Sequence, residues 1–187
     1  MALLTFAEAR RTVEQQVSSA RRLPEAETVA LAQAAGRILA EPVAADRDYP
    51  PFPRATRDGY AVRAAETPGR LRVMGQIRAG QEFPGTVQLG EAVEIMTGAP
   101  VPAGADAVIM VEFTRREGDA VVLERGVHSG ENIVPRGSEA AAGAVALEPG
   151  RRIDYPEIAL LASFGRPSVE VYRRPRVAIV STGDEVV

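Results

Sequence analysis

Apolar residues at Phe6, Ala9, Val13 and Val17 recur at helical spacing, and Thr5 with Glu8 forms a capping-box pattern in front of them. The spacing predicts a helix of about four turns with one apolar face, ended by Arg21, Arg22 and Pro24. A second, shorter helical stretch is expected in LAQAAGRILAEP, stopping at Pro42. From Val43 to Gly143 the period changes. Short β-branched runs, LRVMGQI, AVEIM, DAVIMVEF and AVVLE, alternate with the turn clusters AGQEFPG, TGAPVPAGA and RREGD. Beyond them Asp154, with Pro156 and Glu157 in the first turn, opens a helix through EIALLASF that Gly165 caps. SVEVYRRP reads as extended, and RPRVAIVSTGDE as a buried strand running into a polar loop.

The expected fold class is therefore α+β and β-rich. A helix-containing subdomain, residues 1–42 and 141–173, is interrupted by an inserted β-rich subdomain at 43–140, and 174–187 supplies the first strand of a truncated α/β domain. A buried parallel-type strand needs further strands and helices to cover it, so the chain reads as a fragment of a longer protein. AAAGAVALEPG has strand-turn character and receives no function.

Composition limits the chemistry more than the fold. All 22 basic residues are arginine, there is no cysteine, and His128 is the single histidine. Schiff bases, P-loop lysines, thiolate nucleophiles and zinc-histidine clusters are thereby excluded. Carboxylates, hydroxyls, arginines and backbone N–H groups remain, a set suited to hard cations and to phosphate or oxyanions. A net charge of −3 argues against a nucleic-acid partner. With no apolar run near the roughly 20 residues a membrane helix needs, and no signal-peptide order at the start, the cytoplasm is the expected location and no membrane partner is expected.

The stretch PPFPRATRDGYAVR, residues 50–63, carries the most local information. Three prolines and Gly59 bracket a single carboxylate, Asp58, stiffening the backbone around it. One reading makes Asp58 a site carboxylate held in a fixed direction. The other makes Asp-Gly a turn into YAVR, with Asp58 bonded to its own backbone. Thr97, in IMTGAP, is likewise either a turn residue at a strand end or a hydroxyl that cradles an anion with the N–H groups after it. The pairs Arg115–Arg116 and Arg151–Arg152 read as solvated faces, Asp106 as a turn cap, Glu112 and His128 as surface residues, and Arg54 or Arg57 as a cation that steers an anionic substrate.

Five segments in fixed order, PPFPRATRDGYAVRAAETPG, EIMTGAPVPAGADAVIMVE, GENIVPRGSEAAAGAVAL, PEIALLASFG and RPRVAIVSTGDEVV, resemble the N-terminal and linker region of the molybdopterin molybdenumtransferases, the MoeA and gephyrin E-domain family. The resemblance covers about residues 5–187. It implies an enzyme that inserts molybdate into adenylylated molybdopterin with magnesium and releases AMP, and that works as a homodimer. It places Asp58, Thr97, Glu139 and Glu185 in the active site, with Asp58 and Glu185 toward the metal and Thr182 and Gly183 shaping the cofactor-binding loop beside Asp184. Many relatives carry aspartate where Glu139 aligns, and the extra methylene shifts the carboxylate by roughly an ångström or more. The fragment alone is expected to be inactive. The rival class is a non-catalytic module for dimerisation or partner docking, consistent with an aromatic content of only 5%.

Overall fold

A computed structural model describes residues 4–20 and 23–179. In chain order the elements are α1 (Phe6–Ala20), β1 (Ala26–Ala30), β2 (Val43–Ala44), β3 (Arg54–Ala55), β4 (Gly59–Val62), β5 (Gly69–Ile77), β6 (Glu91–Ile95), β7 (Ala107–Met110), β8 (Thr114–Glu117), β9 (Ala120–Leu123), β10 (Ile133–Val134), β11 (Val145–Leu147), α2 (Tyr155–Ser163) and β12 (Ser168–Tyr172), with short 3₁₀ turns between some of them. The fold is mixed α+β, strand-rich and poor in helix. Two compact units divide it, residues 1–43 with 147–187 and residues 44–146.

In the first unit α1 begins as its capping pattern requires. Glu8 Oε2 accepts the Thr5 N–H at 2.8 Å, and the Thr5 hydroxyl accepts the Glu8 N–H at 3.4 Å. The apolar stripe of α1 stays exposed, with Phe6 84% accessible. β1 pairs antiparallel with β12, from Ala26 opposite Tyr172 to Ala30 opposite Ser168. Leu39, Ile153, Leu161, Phe164, Val169 and Val171 are buried in this unit.

α2 is fixed at both ends. Asp154 N–H donates to Glu157 Oε2 at 3.0 Å, while Gly165 turns at φ +67° and the Arg166 N–H closes on the Leu161 carbonyl at 3.0 Å. Arg151 is exposed, as expected of a solvated face, and is also paired. Its Nε and Nη2 both donate to Glu157 Oε1, at 3.0 and 2.7 Å, because Glu157 is only 5% exposed and a buried carboxylate requires a partner.

Two expectations fail in this unit. The segment 31–42 is not a helix: only Leu31–Gln33 makes a 3₁₀ turn, and the Leu39 N–H donates to the Arg151 carbonyl instead of closing a helical turn. Gly36 takes φ +72°, which a right-handed helix cannot hold, and alanine content alone did not outweigh it. The start of RVAIV is not a buried strand either. Residues 173–179 take no strand geometry, and Val177 and Ile179 are 76% and 95% exposed, because no described strand offers them a ladder.

The second unit is built on one six-stranded sheet of order β7-β4-β6-β5-β9-β8, in which only the β5–β6 pair is parallel. Alternation along its strands sends side chains to two cores. Tyr60, Val62, Leu71, Ile109, Val121 and Leu123 fill one, and Ala61, Ile77, Val93, Ile95 and Val108 the other. β4 sits between β6 and β7 and is buried at all four positions. Gly59 is required there because a Cβ would stand 1.9 Å from the Ile109 carbonyl oxygen. β8 departs from the expected turn RREGD. Arg115, Arg116 and Glu117 lie in the strand, and only Gly118 and Asp119 turn, since charged residues suit an edge strand.

The candidate anion-handling site of the sheet unit

Asp58 stands immediately before β4, which begins at Gly59. Its backbone is pinned, since the Asp58 carbonyl accepts the Val111 N–H at 3.0 Å. Thr97 lies in the turn after β6. Because β4 and β6 are antiparallel neighbours, with Gly59 opposite Ile95, the end of one strand meets the start of the other. There the Thr97 N–H and hydroxyl both donate to Asp58 Oδ1, each at 2.7 Å. These two bonds hold the Asp58 carboxyl below the usual carboxylate range, the hydroxyl being the larger cause. Oδ2 accepts no hydrogen bond among the described residues, and the side chain is exposed.

The chain does bend at residues 56–58 into β4, but the Asp58 carboxylate does not bond its own backbone as a simple Asp-Gly turn would have it; it bonds a residue 39 positions away. The cradle expected around Thr97 also changes. Gly98 N–H donates to the Ala55 carbonyl at 2.8 Å and Ala99 N–H to the Met96 carbonyl at 3.0 Å, so these N–H groups serve the fold. The anion held by Thr97 is Asp58 itself.

Glu139 is in a different pairing. Arg54 Nη2 donates to its Oε1 at 2.5 Å across 85 residues of sequence. Arg54 belongs to β3, which pairs with β10 and runs beside the Thr97 turn. Ala55 N–H donates to the Ala99 carbonyl at 3.0 Å and Val101 N–H to the Pro53 carbonyl at 2.9 Å. Arg54 is therefore engaged by a carboxylate, whereas Arg57 is exposed and donates to the neighbouring Thr56 carbonyl.

The structure thus joins Asp58 to Thr97 and Glu139 to Arg54, on segments that share β3 and the Thr97 turn. Thr182, Gly183, Asp184 and Glu185 lie outside the described residues. Asp106 makes a long-range bond in place of the local turn cap expected, its Oδ1 accepting the Ala64 N–H at 2.7 Å across 42 residues of sequence, and Glu112 and His128 are exposed. Sequence reasoning missed Asp48 and Arg136, which are bonded to each other at 2.6 Å beside the segment that carries Glu139. The only local hint was an acid just before Tyr-Pro-Pro.

The family described as MoeA N-terminal region (domain I and II) matches residues 4–165. A molybdopterin molybdenumtransferase of Nostoc sp. is 42% identical over 170 residues, covering 87% of this chain and 39% of that protein. One from Bacillus subtilis is 42% identical over 173 residues, covering 87% and 40%. The crystal structure of a molybdopterin biosynthesis MoeA protein from Pyrococcus horikoshii superposes with a TM-score of 0.77 at 35% identity, over 89% of this chain and 45% of that one. The fold is the strand-rich α+β arrangement of MoeA structures. The chain belongs to the molybdopterin molybdenumtransferase (MoeA) family, and it spans about two fifths of the length of the curated relatives it matches.

Proposed function

We propose that this chain is the N-terminal part of an enzyme of molybdenum cofactor synthesis that inserts molybdate into adenylylated molybdopterin and releases AMP, and that Asp58 is a carboxylate of its active site. The clasp from Thr97 carries the reading. Two donors on one oxygen keep the group ionised and aimed, and they leave the second oxygen outward. A turn needs no such arrangement. Family membership supports it, since relatives over 87% of this chain bear the name of that activity.

The donor set fits magnesium. Among the described residues no three His, Cys, Asp or Glu side chains are grouped for a metal. Magnesium is commonly held by about one or two carboxylates together with water and substrate phosphates, a role open to Asp58 Oδ2 with Glu185 as second donor. When bound, the ion neutralises charge on phosphoryl oxygens. Thr97 orients Asp58, while on the neighbouring segment Glu139 holds the Arg54 guanidinium through one N–H, leaving its other N–H groups to receive an arriving oxyanion. Thr182 and Gly183 belong to the cofactor-binding domain that we place from about residue 174. The helix-containing part, 1–42 and 141–173, serves association into a homodimer, for which the exposed stripe of Phe6, Val13 and Val17 is suited. No described helix is long and apolar enough to cross a membrane, and cytoplasmic location is part of the proposal.

The test is a chimera in which this chain replaces the matching region of the Bacillus subtilis relative, assayed for molybdate-dependent release of AMP from adenylylated molybdopterin. Turnover above that of the truncated relative alone supports the reading. A folded chimera that binds adenylylated molybdopterin but releases no AMP contradicts it.

A further inference from the structure

Glu139 sits in a segment, 136–142, that is tied down far more than a surface loop requires. Backbone bonds alone would close it. The Tyr49 carbonyl accepts the N–H groups of Glu139 and Ala140 at 2.9 and 3.1 Å, the Tyr49 N–H donates to the Ala140 carbonyl at 2.7 Å, and the Pro50 carbonyl accepts the Gly137 N–H at 2.9 Å. One carboxylate then grips both ends. Asp48 Oδ2 accepts from Arg136 Nε at 2.6 Å, and Asp48 Oδ1 accepts the Ala142 N–H at 2.9 Å. Gly137 passes over it at φ +71°, where a Cβ would lie 3.4 Å from the Asp48 carboxyl. The Asp48 side chain keeps only 23% of its accessibility, and the Ala142 and Arg136 bonds hold its carboxyl below the usual range.

Between these two grips stands Glu139, and its only side-chain partner among the described residues is Arg54. Arg54 is fixed independently, by β3 pairing with β10 and with the chain around Pro100. The meeting of Glu139 and Arg54 therefore depends on where the segment is held. Displacing a group by about an ångström is enough to cost up to roughly a hundredfold in rate.

We propose that Asp48 is a positioning residue of the active site: by clasping Arg136 and Ala142 it fixes the segment that presents Glu139 to Arg54, and so sets how the site receives its oxyanion. This rests on the reading of the Asp58 region as the molybdate-handling site. Asp48 touches neither substrate nor cation in this role. Its influence passes through Glu139.

The test uses the chimera and the intact 187-residue chain. Asp48→Asn keeps an acceptor for Ala142 but opposes the Arg136 guanidinium with a donor group. In the chimera it is expected to raise KM for molybdate about tenfold and to leave kcat at saturating molybdate within about twofold, as Glu139→Gln does. Adding Asp48→Asn to Glu139→Gln then changes KM no further, because both act through one group. Hydrogen exchange on the intact chain reads the clasp without turnover, as faster exchange at the Glu139, Ala140 and Ala142 amides. Arg136→Gln gives a second route to the same loss if Asp48→Asn does not fold. Unchanged KM in a variant whose loop exchange has quickened overturns the proposal, as does an equal KM shift with and without Glu139. Unchanged exchange overturns the clasp itself. A wild-type chimera without turnover counts against the functional reading instead, and the exchange measurement still decides the clasp.

Discussion

Thr97 donates its backbone N–H and its hydroxyl to one oxygen of Asp58, both at 2.7 Å, and the two residues are 39 positions apart. The antiparallel register of β4 and β6 brings them together, and their mutual bonds then fix the outward oxygen of the carboxylate. The proposed role asks of Asp58 a constant protonation state and a constant direction, and Thr97 contributes to both.

The protonation consequence has a definite sign. Asp58 is depressed in the folded chain, so its contribution to stability is present above its unfolded pKa and is lost as pH falls through the folded one. Thr97→Val removes the larger cause, and Asp58 moves back up toward the ordinary carboxylate range. Thermal melts of wild type and Thr97→Val are expected to differ at neutral pH and to converge in acid. A constant difference at every pH would assign the loss to packing. Thr97→Ser, which keeps the hydroxyl, is expected to behave as wild type.

Gly59 tests the placement of Asp58 from the backbone side. A Cβ there meets the Ile109 carbonyl oxygen at 1.9 Å, so Gly59→Ala must displace β7 from β4. Overpacking of this kind costs about 1–3 kcal/mol, and denaturant unfolding should show a loss at or above the top of that range. Any loss below about 0.5 kcal/mol, the scatter of neutral surface changes, would mean that the strands are not this close.

The unit 44–146 carries both sheet cores, and its ends are tied within it by the Ala45 N–H to the Ala144 carbonyl at 2.9 Å. A polypeptide of these residues alone is expected to unfold in one cooperative transition. Within it, Ile109→Ala, at a fully buried position, should cost about 2–5 kcal/mol. A sloping, uncooperative melt would show that the unit depends on the rest of the chain.

Glu157 makes a parallel case in the first unit. Arg151 is the first cause of its depressed pKa and the Asp154 N–H the second. The sign is that of Asp58: its stabilisation is present above the unfolded value and is lost as pH falls through the folded one. Arg151→Ala leaves the buried carboxylate without its charged partner and should lower the melting temperature at neutral pH, the gap narrowing in acid. A melting point unchanged at pH 7 would contradict the pairing.

How far the sequence revealed this arrangement follows the range of each interaction. Contacts within four residues were legible: Thr5 with Glu8, Asp154 with Glu157, and the Gly165 cap all carry their own signal in residue type and spacing. Segment 31–42 was misread because intrinsic helix propensity, even that of alanine, is a weak determinant, while tertiary bonds to Arg151 and Ile153 set its path. β8 was hidden because Arg115 and Arg116 advertise solvent, which an edge strand also meets. Asp58 and Thr97 each stand out in the sequence only through resemblance to the family, and their bond does not show there at all. It depends on β4 and β6 pairing in one register. The grip of Asp48 on Arg136, across 88 residues, lay further still from any local pattern.

The most direct measurement is AMP release by the chimera carrying Asp58→Asn, with Thr97 unchanged. Asparagine keeps the size and an oxygen for the two Thr97 donors, but it removes the charge. A loss of at least about a hundredfold, with melting temperature and binding of adenylylated molybdopterin retained, is the predicted result, on the scale expected when a charged site group is neutralised. Activity within about threefold of the wild-type chimera, less than 1 kcal/mol in the barrier, would contradict the role given to Asp58.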